Sequence, residues 1–213
     1  MILDATDPTT WGPALDEAVA AVRNGTTVVL PTDTVYGIGA DAFNPTAVAA
    51  LQAAKGRGRS SPPPVLIAAA ASLDGLAISV SPGARALVEK FWPGALTIIC
   101  LAQPSLTWDL GDTEGTVALR MPDHPLALAL LTRTGPMAVS SANRHGRPPA
   151  QTAAEAEAQL GSAVAVYLDG GTAPGGVAST IVDATGPILR IVREGAIEAK
   201  ELATVAMIES PHG

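Results

Sequence analysis

Thr26-Thr-Val-Val-Leu-Pro-Thr-Asp-Thr-Val-Tyr-Gly-Ile-Gly39 is the stretch on which the reading of this chain turns. Thr26–Leu30 is a short run rich in β-branched residues between Asn24-Gly25 and Pro31, the pattern of a buried strand. Pro31 turns the chain and displays Thr32, Asp33 and Thr34 at the strand end, before Tyr36 and two glycines. Hydroxyls there can hold a small polar ligand, and the glycines let it approach the backbone. A turn capped by its own hydroxyls fits the same residues. Gly37-Ile-Gly39-Ala-Asp-Ala42 also loosely matches a dinucleotide fingerprint. That motif needs an acidic residue about 20 positions on to hold a ribose. After Asp41 no carboxylate occurs until Asp74, and the next helix opens too late, at Asn44-Pro45. A dinucleotide site is rejected.

Working outward, helix and strand signals alternate. Pro13 opens a helix that stops at Asn24-Gly25, Asn44-Pro45 opens one running to Lys55, and Ser81-Pro82 one ending near Trp92-Pro93. Asp123 and Pro125 frame another, and Thr152–Leu160 is a short Ala-rich helix. Strands are expected over Val65–Ala68, Leu96–Leu101, Val117–Arg120, Met137–Ser140, Val164–Leu168, Thr180–Val182 and Ile188–Val192. The fold class is α/β, and residues 1–213 are expected to form one domain with a frayed tail over Glu209–Gly213.

Hydrophobic residues make up 47% of the 213 residues and aromatics only 3%, so Ala, Val, Leu and Ile must fill the core. The net charge of −7 disfavours nucleic acid and anionic membrane as partners of the whole surface. Yet two segments lack carboxylates and carry base: Lys55, Arg57 and Arg59 between Asp41 and Asp74, and Arg133, Arg144 and Arg147 between Asp123 and Glu155. They read as a local anion site or as solvated side chains. Cys100 is the single cysteine and sits in an apolar run, which suits a buried thiol. Acidic residues stand near the N-terminus where a signal peptide needs basic ones, and no apolar run is long enough to span a bilayer, so a cytoplasmic protein is expected.

No P-loop, H-E-x-x-H, CxxC pair or G-x-S-x-G elbow is present. The three histidines show no metal spacing, and His124 reads as a solvent-exposed helix start. Lys55-Gly-Arg-Gly-Arg59 combines a point charge, a planar fork and small spacers, suited to a polyphosphate; the same bases also suit a helix C-terminus. Ser141 and Asn143 lie two apart after a strand, so they share a side where the chain is extended. Asp169–Thr180 has enough glycine to wrap amides around an anion, or to act as a flexible connection.

Taken in order, these pieces resemble the YrdC-like family of threonylcarbamoyl-AMP synthases. The matching motifs are Pro31-Thr-Asp-Thr-Val-Tyr-Gly37, Lys55-Gly-Arg57, Phe91-Trp-Pro-Gly94 with Leu96-Thr97, and Val117-Ala-Leu-Arg120 with Asp123-His-Pro125. Ser141-Ala-Asn143, Gly175-Gly-Val-Ala-Ser-Thr180 and Arg193-Glu-Gly195 complete the set, from about residue 12 to residue 197. The resemblance implies a twisted mixed parallel and antiparallel sheet flanked by helices, with a basic concavity for ATP and L-threonine. It implies catalytic and nucleotide roles for Lys55 and Arg57, and nucleotide contacts at Thr116, Ser141, Asn143 and Arg193. It implies threonine contacts at Thr32, Arg120 and Ser179, with Arg120 facing the carboxylate and Tyr36 shaping the pocket wall.

The implied reaction joins L-threonine, bicarbonate or CO2 and ATP, with Mg2+, into threonylcarbamoyl-AMP and pyrophosphate. Hand-over to a tRNA threonylcarbamoyl transferase complex would follow. Two departures stand out: Ala68 where relatives carry a histidine, and Pro149 where some carry a serine. Longer relatives append a second C-terminal domain that this chain is too short to hold. The alternatives are an RNA-binding module, which the acidity and scarce aromatics disfavour, and a carbamoyl-adenylate enzyme acting on another amine or on carbamoyl phosphate.

Overall fold

A computed structural model of the chain describes residues 1–209. The elements in order are β1 (Ile2–Asp4), α1 (Gly12–Arg23), β2 (Val28–Leu30), β3 (Gly37–Asp41), α2 (Pro45–Lys55), β4 (Val65–Leu66) and α3 (Leu73–Leu76). Then come β5 (Ala77–Ile78), α4 (Pro82–Phe91), β6 (Leu96–Ala102), β7 (Thr116–Arg120), α5 (Pro125–Thr134) and β8 (Met137–Ser141). The last are α6 (Ala153–Leu160), β9 (Val166–Asp169), β10 (Thr180–Asp183), β11 (Leu189–Arg193), α7 (Ala199–Ala203) and β12 (Ile208–Glu209).

Local chemistry starts the helices. The Asn44 side chain accepts from the Ala47 amide (3.1 Å) ahead of Pro45, Ser81 from Ala84 (3.2 Å) ahead of Pro82, and Thr152 from Glu155 (3.2 Å). Gly56 closes α2 in the left-handed region, at φ 68°.

The strands form one mixed sheet in the order β1-β9-β2-β3-β8-β4-β7-β6-β10-β11-β12, with β5 paired to β6. Strand β9 lies parallel to β1 and β2, β4 to β7, β6 to β10 and β11 to β12, while the other pairs are antiparallel. One face is covered along the sheet. Val29, Ile38 and Tyr167 pack beneath α2 and α6, and Ile98, Cys100, Leu119, Val182 and Ile191 beneath α3, α4 and α7. The opposite face is covered over only half its width, where α1 (Leu15, Val19, Val22) and α5 (Leu126, Leu130, Leu131) seal Val28, Leu30, Met137 and Val139. Beyond β8 that face is left bare, and its residues Ala118, Arg120, Thr97, Ile99, Ile181 and Arg193 line a cleft of about 410 Å³. The site is the missing layer of the sandwich.

Three differences from the expected elements have physical causes. The Gly37–Gly39 stretch is the central strand β3 and not a turn, and Gly37 at its start also lines the cleft. A side chain at Gly37 would meet Val139 Cγ1 at 2.6 Å, and one at Gly39 would meet Met137 Cε at 2.8 Å, so here glycine makes room for strand β8. Strands β1 and β12 are two or three residues long at the sheet edges, too short to show periodicity. Glu209, expected to fray, pairs with Arg190 of β11, and residues 210–213 lie outside the described residues.

Candidate active site

The centre of the cleft is a charge held at a strand end. Arg120, the last residue of β7, has a side chain only 8% exposed, and its Nη2 donates to Asp33 Oδ1 at 2.6 Å. Its Nη1 donates to Thr34 Oγ1 (3.0 Å) and its Nε to the Gly94 carbonyl (2.9 Å). Asp33 Oδ1 also accepts from the Asp123 amide at 3.1 Å. Thr32 donates to the Val35 carbonyl (2.6 Å) and sits 3.1 Å from the Thr34 hydroxyl. The turn after β2 is therefore a rigid bracket whose carboxylate steadies the arginine. Burial pulls the Arg120 pKa down, and Asp33 opposes that fall. The fork keeps further N–H groups beyond these three bonds, which suits a carboxylate ligand.

Ser179 and Arg193 meet beside it. Between β10 and β11 the register slips, so that Val182 faces Ile191 while Ile181 faces Arg193. The extra residue, Val192, is a bulge that turns Arg193 onto the cleft face. Arg193 then donates to the Ser179 carbonyl through Nη2 (2.7 Å) and Nε (3.2 Å), and Ser179 Oγ lies 2.8 Å from Thr97 Oγ1. Gly195 makes this possible, because a Cβ there would lie 2.2 Å from the Ala178 carbonyl oxygen. Thr116 lines the cleft and donates to the Thr113 carbonyl at 2.7 Å.

The K-x-R and S-x-N residues separate into two roles. Arg57 and Ser141 line the cleft, whereas Lys55 and Asn143 are not among its lining residues. Lys55 ends α2 at 1% exposure, and its Nζ donates to the Ser141 carbonyl, the Asn143 carbonyl (2.8 Å) and Asn143 Oδ1 (3.2 Å). Asn143 in turn donates to the Arg147 carbonyl at 2.7 Å. The lysine is thus a bracket beneath the Ser141 loop. Desolvation, with Arg57 adding repulsion, pulls its pKa down to about 8. Arg57 donates through Nε to His145 Nδ1 at 3.1 Å.

Of the other expected features, Tyr36 does form wall: it is buried, lines the cleft and donates to the Gly171 carbonyl (2.5 Å). Several amides of the Asp169–Thr180 loop are used internally, with Gly170 donating to Tyr36 Oη and Gly176 to the Thr34 carbonyl. That loop is seated on the Thr32–Thr34 turn through the Gly176 amide. Pro149 lines the cleft; Ala68 instead packs at the edge of the α1–α5 core. His124, expected at the surface, is half-buried, and its Nδ1 has no hydrogen-bond partner among the described residues. Burial lowers its pKa, against the pull of Asp33 and Asp123.

Sequence reasoning missed Thr97 as a lining residue and Asp33 as the partner of Arg120, while Thr34, displayed in the turn after β2, does line the cleft. Thr97 did sit inside a quoted motif, so adjacency was the available signal. Among the described residues no cluster of three His, Cys, Asp or Glu side chains could hold a metal ion, and Asp33 is committed to Arg120. The residues present thus do not form a protein-made Mg2+ site.

Residues 20–195 match the model of the Sua5/YciO/YrdC family, described as "Telomere recombination". A Mycobacterium tuberculosis protein, provisionally named threonylcarbamoyl-AMP synthase, is 51% identical over 207 residues, covering 97% of this chain and 95% of its own. Threonylcarbamoyl-AMP synthase of Bacillus subtilis is 39% identical over 95% of this chain, which spans 60% of that longer protein. The crystal structure of Pyrococcus abyssi Sua5 complexed with L-threonine superposes with a TM-score of 0.91 at 30% identity, over 98% of this chain and 62% of Sua5. No helix among the described residues is long and apolar enough to cross a membrane.

Proposed function

The chain belongs to the Sua5/YciO/YrdC family, and from that premise we propose that it is an L-threonylcarbamoyladenylate synthase, a nucleotidyltransferase working in the cytoplasm. The observation that carries this reading is the buried Arg120–Asp33 pair in a cleft that Thr32, Thr97 and Ser179 line together with Arg57 and Arg193. Arg120 takes the threonine carboxylate, and Thr32 and Ser179 complete that subsite. Arg57, Thr116, Ser141 and Arg193 meet the nucleotide, with Lys55 and Asn143 setting the Ser141 loop from behind.

The threonine amine captures CO2 or bicarbonate as a carbamate. A carbamate oxygen then forms a bond to the α-phosphorus as the bond to the pyrophosphate oxygen breaks. No lining histidine or cysteine offers a nucleophile, so positioning and electrostatic stabilisation supply most of the rate. Mg2+ entering with the nucleotide would supply charge neutralisation, and no residue of the cleft is assigned to hold it. The adenylate would pass to a transferase complex acting on tRNA.

The test is pyrophosphate release from ATP with L-threonine, bicarbonate and Mg2+ each present or omitted, with mass spectrometry of the adenylate. Release that needs both threonine and bicarbonate is expected. Release indifferent to threonine would leave the fold and overturn the substrate. A panel of other amines and carbamoyl phosphate, and tRNA binding without ATP, address the rival readings in the same preparation.

A further inference from the structure

Resting on the threonine-dependent reaction above, we propose that Thr97 is a specificity-determining residue: with Ser179 it forms a buried hydroxyl pair that reads the side-chain hydroxyl of the amino-acid substrate. The two residues are 1% and 7% exposed, and both line the cleft. Their Oγ atoms are 2.8 Å apart, so one donates to the other. Arginine only donates. Arg193 Nη2, at 3.3 Å from Ser179 Oγ, therefore occupies one lone pair of that oxygen.

The pair holds two hydroxyl protons and one internal hydrogen bond. Whichever group donates internally, the other keeps a proton for the cleft. When Thr97 donates, Ser179 has accepted from both Thr97 and Arg193, so its own O–H points outward and a Thr97 lone pair stays open. When Ser179 donates, the Thr97 proton is presented instead. A ligand group that both accepts and donates completes the pair in full. A carboxylate only accepts and an ammonium only donates; an aliphatic hydroxyl does both. A methyl group in its place leaves buried polar atoms unmet, which is how hydrogen-bonding sites reject isosteres.

Position decides whose hydroxyl is read. Ile98 pairs with Leu119 in the antiparallel β6–β7 ladder, so one residue on Thr97 stands opposite Arg120. Facing side chains in such a ladder have Cβ atoms about 5 Å apart. The Ser179 loop is also seated on the turn that holds Arg120, through Gly176 N to the Thr34 carbonyl (2.9 Å). The hydroxyl pair thus lies beside the carboxylate anchor, as a β-hydroxy-α-amino acid requires. A nucleotide ribose carries the same chemistry, and the experiment separates the two.

Thr97→Val removes the hydroxyl at nearly constant volume. Pyrophosphate release is measured with L-threonine and L-valine, and with ATP and 2′-deoxy-ATP. In Thr97→Val the KM for threonine is expected to rise about tenfold or more, with the threonine-over-valine preference falling by a similar factor. The KM for ATP and kcat should move less than about threefold, and Thr97→Ser should restore the preference. An unchanged threonine-over-valine preference in Thr97→Val overturns the proposal. So does a loss confined to the ATP-over-2′-deoxy-ATP preference, which would assign the pair to the ribose. Should Thr97→Val not fold, the wild-type protein still decides: O-methyl-L-threonine, which accepts but cannot donate, must bind more weakly than L-threonine, and equal binding sinks the idea. Threonine-independent release by the wild type would defeat the proposed function itself, and this inference with it.

Discussion

The floor of the cleft and its rim both carry arginine, but in opposite settings. On the floor, Arg120 and Asp33 are 8% and 14% exposed, anchored on a strand end and a proline turn, with each group bonded to backbone as well. On the rim, Arg59 grips Asp109 with both ends of its fork (2.8 and 2.9 Å), yet the two side chains are 59% and 43% exposed and both lie outside regular elements. Geometry alone would rank the rim pair as the better salt bridge. Burial reverses the ranking, because a charge shut away from water cannot be re-solvated when its partner is lost. The floor thus presents a fixed charge, which in the proposed function meets a small zwitterion. The rim carries Arg57 on a glycine-spaced loop, which in that proposal meets the polyphosphate.

Asp33→Ala probes this contrast most severely. It leaves the Arg120 guanidinium buried without its carboxylate, and about 3–5 kcal/mol of folding stability should be lost. Urea unfolding with an unchanged m-value measures it. A loss below about 1 kcal/mol would put the floor pair in the same class as a surface bridge and erase the distinction.

Arg57→Ala shifts the test from stability to turnover. Arg57 lines the cleft, and among the described residues its side chain bonds only to His145, so the fold should tolerate its loss. Pyrophosphate release should nevertheless fall about 10²-fold, close to 3 kcal/mol of transition-state stabilisation. Near-normal turnover would remove the rim from catalysis.

Lys55 belongs to neither region and sharpens the boundary between them. Lys55→Met strands the Ser141 and Asn143 carbonyls, which should cost about 1–3 kcal/mol. The pH dependence has a definite sign. The folded pKa of about 8 lies below the ordinary lysine value of 10.5, so between them the unfolded chain binds more protons than the folded one. Wild-type stability relative to Lys55→Met should therefore rise from about pH 8 to 10.5 and fall back as the lysine recharges on acidification. A difference flat across that window would mean the lysine keeps an ordinary pKa under the loop.

What the sequence disclosed follows the same division between local and distant causes. The helices after Asn44, Ser81 and Thr152 were legible because cap and first turn lie within four residues. Arg120, Ser179 and Thr32 were legible as members of ordered motifs. The Arg120–Asp33 bond spans 87 residues and the Thr97–Ser179 contact 82, and neither spacing leaves a periodic trace. Lys55 read as a polyphosphate-binding base, or as a solvated one, because its burial depends on a loop 86 residues away folding over α2. The close packing of Gly37 and Gly39 on β8 was not legible, because a glycine that makes room for a ligand and one that makes room for Val139 have the same letter. The bulge at Val192, which aims Arg193, adds one residue without any glycine or proline to mark it.

The smallest effect is expected at Arg59. Its fork ties the 57–64 loop to the 103–115 loop, and the Asp112 amide donating to the Arg59 carbonyl (2.9 Å) adds a backbone link that survives any side-chain change. Leu110 is buried beneath, and Phe43 stacks on Trp108 at 5.4 Å, so the second loop has anchors of its own. Arg59→Ala should leave kcat and the KM for ATP within about twofold of wild type, and molar salt should abolish even that difference because exposed pairs are screened. A large, salt-resistant rise in the KM for ATP would show that the rim is held as rigidly as the floor. The two ends of the cleft would then differ in ligand and not in mechanics.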